Sequence, residues 1–151
     1  MKTLVFLTFL LIGTQLSSFA QADPTKWTFS VEKIAETENE YNVVFDVVLE
    51  PEWCIYAQEL ESEDGPIATS FNFEKADGLE LLGKVEEVGD KIEGFDSMFE
   101  MNIAKYKKHV KFVQKVKIKS ASTLKGYVTF MTCDNHQCLP PTDIDFAIKV
   151  E

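Results

Sequence analysis

Tyr127-Val128-Thr129-Phe130-Met131-Thr132-Cys133-Asp134-Asn135-His136-Gln137-Cys138-Leu139-Pro140-Pro141 is the stretch on which the chain turns. Its first part alternates like a strand, with Tyr127, Thr129 and Met131 on one side and Val128 and Phe130 on the other. The run ends on Cys133. Four polar residues separate that thiol from Cys138, a spacing that lets the two ends of a short loop approach to disulfide geometry. Pro140 and Pro141 fix φ twice and remove two N–H donors, so the exit from the loop is stiff. A bond closing so short a loop restricts the unfolded chain by only about 2 kcal/mol on the loop-entropy account. The spacing therefore admits two readings, a structural staple and a pair that opens and closes in use.

Outward from this stretch the chain reads as strands and turns. Trp27 to Val31 alternates, and Tyr41, Val43, Phe45, Val47 and Leu49 line one face of a second strand. The acidic run Glu36 to Glu40 turns between them, and Glu50-Pro51-Glu52 ends the second. Trp53 to Leu60 reads as a third strand, and Thr69 to Phe73 and Leu79 to Val85 as two more. Gly89 to Lys105 has no clean period but carries Phe95, Met98, Phe99 and Met101 among acidic residues, which predicts a loop packed over something. From His109 the alternation resumes, with Val110, Phe112, Val116 and Ile118 opposite a solvated row of lysines. Ile144, Phe146, Ile148 and Val150 form a closing strand. About eight short strands with no helix beyond the first residues predict an all-β fold, an antiparallel β-sandwich.

Residues 1–22 read as a secretory signal peptide: Lys2 opens them, Leu4 to Ile12 is apolar, and Ala20 or Ala22 offers the cleavage site. That apolar segment is short for a membrane span, so residues 23–151 are expected to be a single exported, soluble domain without membrane insertion. The full chain carries a net charge of −10 and contains no arginine, which argues against nucleic acid and against bidentate phosphate recognition. Three cysteines leave an odd thiol, Cys54, and no Cys-x-x-Cys occurs. Cys133, His136 and Cys138, with His109 as a fourth, are also the ligand types of a zinc or copper site, although His-x-Cys is tighter than zinc pairs prefer.

The run Cys133-Asp134-x-x-x-Cys138-x-Pro140-Pro141 after an aromatic strand resembles the amino-terminal periplasmic domain of the thiol:disulfide interchange protein DsbD. Trp53-Cys54-Ile55-Tyr56-Ala57-Gln58 and Phe95-Asp96-Ser97-Met98-Phe99, followed by Tyr106, are similar in the same order. The resemblance implies an immunoglobulin-like fold, a periplasmic location and thiol–disulfide exchange with thioredoxin-like or DsbD-type redox proteins, without a cofactor. It implies that Cys138 is joined to partner thiols and that Cys133 resolves the intermediate. It implies that Tyr56 lies beside the redox pair, that Phe99 belongs to a cap loop over the disulfide with Gly94 as a hinge, and that Asp96 lies near the thiols. The family carries an aromatic residue where this chain has Cys54, two residues from Tyr56 and on the same side of the strand. His136, if protonated, would stabilise a neighbouring thiolate while Asp134 would oppose it. The rival readings are a non-enzymatic binding or adhesion module with an inert bridge, and a Cys/His metal-binding domain.

Overall fold

The computed structural model describes residues 23–151; the signal peptide expected over 1–22 lies outside the described residues. The chain folds as an immunoglobulin-like antiparallel β-sandwich, and among the described residues no helix is long and apolar enough to cross a membrane. The larger sheet is built on β6 (Met101–Ile118). One side of β6 pairs with β5 (Leu79–Asp96). Its other side is shared end to end by β3 (Cys54–Tyr56), at Lys105 to Lys107, and by β2 (Glu40–Leu49), at His109 to Lys117. β1 (Thr25–Lys33) pairs with β2, and β8 (Thr132–Cys133) pairs with β3. The smaller sheet has β7 (Ser122–Phe130) between β4 (Ser70–Phe73) and β9 (Thr142–Val150).

The alternating residues Tyr41, Val43, Phe45 and Val47 of β2 meet Val110, Phe112 and Val116 of β6 and Leu124, Val128 and Phe146 of the opposite sheet in one buried core. Phe45 is its centre: Phe29, Phe71, Phe73 and Phe146 all lie with ring centroids 4.8–6.3 Å from it. Gly126 lets β4 close against β7, since a Cβ there would run into the carbonyl oxygen of Asn72.

Four expectations change in the folded chain. The segment Gly89 to Lys105 is not a loop: Lys91 to Asp96 pairs with Met101 to Tyr106, so β5 and β6 form one long hairpin turning at residues 97–100. The exposed outer part of β5 escapes the in–out alternation of a half-buried strand, because neither of its faces lies against the core. Gly94, expected as a hinge, is paired with Ile103 inside this hairpin. The third strand is only Cys54–Tyr56, shorter than the run to Leu60.

The fourth change matters most for the cysteines. The run from Tyr127 does not continue unbroken to Cys133. Phe130 ends on Thr142 in the smaller sheet, the chain breaks its pairing at Met131, and Thr132 and Cys133 join β3 in the larger sheet. Crossing between sheets in this way carries Cys133 to the sheet that holds Cys54.

Candidate functional site

Cys133 and Cys138 lie at disulfide distance, joined across the loop. The carboxylate of Asp134 organises that loop: its Oδ1 accepts the backbone N–H groups of His136 at 2.7 Å and Gln137 at 2.8 Å. These two hydrogen bonds, before any other cause, hold the Asp134 carboxyl below its ordinary range. The Asp134 N–H bonds the Gln137 carbonyl, and the Leu139 N–H bonds the Thr132 carbonyl, so the return segment is pinned on both sides of Cys138. Sequence proximity and an aspartate turn are enough to build this much.

β3 supplies the floor. Ile55 points into the main core, so Cys54 and Tyr56 face the other way, as a two-residue period requires. There they form a second buried cluster with Ile103 and Cys133, flanked by Phe99, Met101, Met131 and Cys138. Burial pushes the Cys54 thiol up from its ordinary value, against the pull of the Lys105 charge, hydrogen bonding with Tyr56 and the Cys133 backbone, and the Lys107 charge. Burial likewise raises the Tyr56 hydroxyl, with Cys54 and Asp96 adding to it.

The turn of the β5–β6 hairpin folds over this floor. Phe99 meets the Tyr56 ring edge-on at 6.0 Å, while the neighbouring Met98 places its sulfur 3.3 Å from Sγ of Cys138. The cover on the disulfide sulfur is thus Met98, and Phe99 anchors the turn on Tyr56. The sequence marks Met98 as one of the apolar residues expected to pack over something, but an unbranched side chain in an aperiodic segment carries no sign of what it touches. Asp96 holds the turn: Oδ2 lies 2.6 Å from Nζ of Lys105, and Oδ1 accepts the Met98 N–H at 2.9 Å. Burial alone would raise the Asp96 carboxyl, but the bonds from Lys105, Met98 and Phe99 outweigh it and hold the group below its ordinary value.

Farther down the hairpin, Glu87 fastens the arm to the body. Its Oε1 accepts the Gln58 N–H at 2.6 Å, and its Oε2 accepts the Tyr106 hydroxyl at 2.7 Å and lies 2.9 Å from Nζ of Lys91. Burial would raise the Glu87 carboxyl, yet these three partners together bring it below its ordinary range. Tyr106 was visible in the sequence as a family position; Glu87 was not, being one of many acidic residues.

Beside the covered disulfide lies a cavity of about 220 Å³ whose walls include Cys54, Tyr56, Asp96, Met98, Lys105 and Cys133. Of the residues singled out in the sequence, Cys54, Tyr56, Asp96, Phe99, Cys133 and Cys138 therefore gather here. His136 is exposed on the loop. His109 lies against Asp46, 2.8 Å away on β2. Among the described residues no group of three or more His, Cys, Asp or Glu side chains converges to hold a metal ion.

The arrangement separates the two sulfurs by access. Cys133 is 2% exposed, while Cys138 is only partly buried and is screened by a side chain from a turn. Met98 lies against the sulfur of Cys138, whereas Cys133 is covered by the fold itself.

The model of the family described as "Thiol:disulfide interchange protein DsbD, N-terminal" matches residues 18–149. No curated protein matches by sequence. Among solved structures, the N-terminal periplasmic domain of ScsB from Proteus mirabilis superposes with a TM-score of 0.57 at 18% identity, over 85% of this chain and 47% of that one. This chain thus spans about half the length of that relative. The N-terminal domain of DsbD from Neisseria meningitidis, in its reduced form, gives a TM-score of 0.49 at 20% identity, over 80% of this chain and 83% of that one.

Proposed function

The chain belongs to the family of DsbD amino-terminal domains, whose role is thiol–disulfide interchange, and on that premise we propose that it passes reducing equivalents between partner proteins through Cys133 and Cys138. The observation that carries this reading is the unequal access of the two sulfurs. A partner thiolate attacks Sγ of Cys138, the Cys133–Cys138 bond breaks, and Cys133 leaves as a thiolate. The partner's second thiol then attacks the mixed disulfide and releases Cys138. The partner ends oxidised by two electrons, and this domain holds those electrons and two protons on its dithiol. In the opposite direction Cys138 attacks a disulfide of the acceptor and Cys133 resolves the adduct. Met98 acts as a displaceable cover: small thiols meet it, whereas a docked protein pushes it aside.

The partners of this reading are thioredoxin-like or DsbD-type redox proteins of the periplasm, the compartment in which the ScsB domain is described and to which a leader over residues 1–22 would direct the chain. Exchange needs no cofactor.

Trapping tests the reading. Cys133→Ser cannot resolve its adduct, so Cys138 should stay joined to a thioredoxin-like protein on a non-reducing gel. No covalent adduct under oxidising conditions, together with a reduction potential below about −300 mV, would mark the bond as inert.

A further inference from the structure

Three cysteines share one rung of the sheet. Cys54 of β3 stands directly opposite Cys133 of β8, and Cys133 stands directly opposite Cys138 on the returning segment. Residues opposite one another in an antiparallel pair direct their side chains to the same face. The order across the rung is therefore Cys54, Cys133, Cys138, with the bonded Cys133 in the middle. Lys107 extends the same rung on the far side of Cys54.

The geometry points to Cys54 as a third redox sulfur, able to take Cys133 from Cys138 and move the disulfide one strand inward. Opposite residues have Cα atoms about 4.5–5.5 Å apart, inside the roughly 4.4–6.8 Å span of disulfides. Cys54 approaches Cys133 from the side away from Cys138, which is the in-line approach that exchange at a central sulfur requires. Cys54 gives its proton to solvent and attacks Sγ of Cys133. The Cys54–Cys133 bond forms as the Cys133–Cys138 bond breaks, and the electron pair leaves on Cys138, which takes up a proton. No external oxidant or reductant enters, because the two-electron oxidation stays within the chain.

The two forms differ in what they offer a partner. With the bond at Cys133–Cys138, an incoming thiolate finds a disulfide sulfur at Cys138. With the bond at Cys54–Cys133 it finds only a thiol there, since both bonded residues are 2–3% exposed. Inward exchange thus withholds the oxidised equivalent from partners, and return attack by Cys138 restores it. The inference rests on the lability of the Cys133–Cys138 bond proposed above, and not on the identity of any partner.

The test oxidises reduced Cys138→Ser with glutathione disulfide, quenches in acid, alkylates and maps the peptides. The expected result is Cys54 linked to Cys133 in more than half of the molecules. Cys133→Ser is the control: its remaining thiols are two strand spacings apart, about 9–10 Å, and stay unlinked. Glutathione on Cys133 with a free Cys54 in the folded variant overturns the inference. Should Cys138→Ser fail to fold, the oxidised wild-type protein is alkylated under native conditions instead. Label on Cys138 then supports the inference, and label on Cys54 or on no cysteine overturns it. A partner adduct of Cys133→Ser without the inner bond refutes only this inference; the inner bond without any partner adduct refutes only the exchange reading.

Discussion

The sulfur of Met98 lies 3.3 Å from Sγ of Cys138, and the two residues are brought together by a hairpin turn and a cysteine loop that are distant in sequence. The turn that carries the cover is braced within the hairpin by Asp96 against Lys105, and Phe99 rests it on Tyr56 of β3. A cover attached in this way can be lifted without disturbing the core.

Met98→Ala should speed reduction of the disulfide by a small thiol such as glutathione. Removing a handful of dispersion contacts forfeits about 1 kcal/mol, which corresponds to roughly five-fold in rate. Stopped-flow measurement on folded protein checks this, and an unchanged rate would mean that Met98 does not limit access.

Acid should loosen the same turn. The Asp96 carboxyl is held below its ordinary value in the folded state, so its contribution is present above the unfolded value of about 3.9 and is lost as pH falls through the lower folded value. Lys105 stays protonated throughout this range. Amide exchange at Met98 and Phe99, corrected for intrinsic rates, should lose protection as pH falls below about 3.9, by about 1 kcal/mol in all, the scale of a partly exposed ion pair. Asp96→Asn should abolish that step; an identical step in the variant would assign it to another carboxylate.

Reduction should cost the domain little. The loop between Cys133 and Cys138 is short, so losing the bond removes about 2 kcal/mol, a midpoint lower by roughly 5–10 °C for a chain of this size. Thermal melts with and without reductant decide the matter. Complete unfolding on reduction would identify the bond as a structural necessity.

Phe45→Ala should destabilise the sandwich by about 3–5 kcal/mol, because Phe45 is fully buried among four other phenylalanine rings. The midpoint of urea unfolding measures this. The cysteines lie in a separate cluster, so any fraction that remains folded should still form the Cys138 adduct in the Cys133→Ser background.

Much of this molecule was legible because the relevant physics is local. The period of two in Tyr41 to Leu49 and Val110 to Ile118 gave strands with one core face, and those strands are β2 and β6. Cys133 and Cys138 are separated by four polar residues, so their proximity follows from chain length alone. Tyr56 and Phe99 could be singled out only through the family resemblance, and their mutual contact was not visible even so. The reading of Gly89 to Lys105 as a loop failed because hydrophobic alternation reports burial on one face, and the β5 arm of the outer hairpin has no buried face to report.

What the sequence determined by itself was an all-β chain with a closely spaced cysteine pair in a stiff polar loop, since side-chain period and short-range spacing are properties of neighbouring residues. Which sulfur is covered, by which side chain, and beside which third thiol was decided only by the folded sheet. Those relations depend on strand register and on the change of sheet at Met131, where residues far apart in the chain are brought opposite each other by packing that no local pattern encodes.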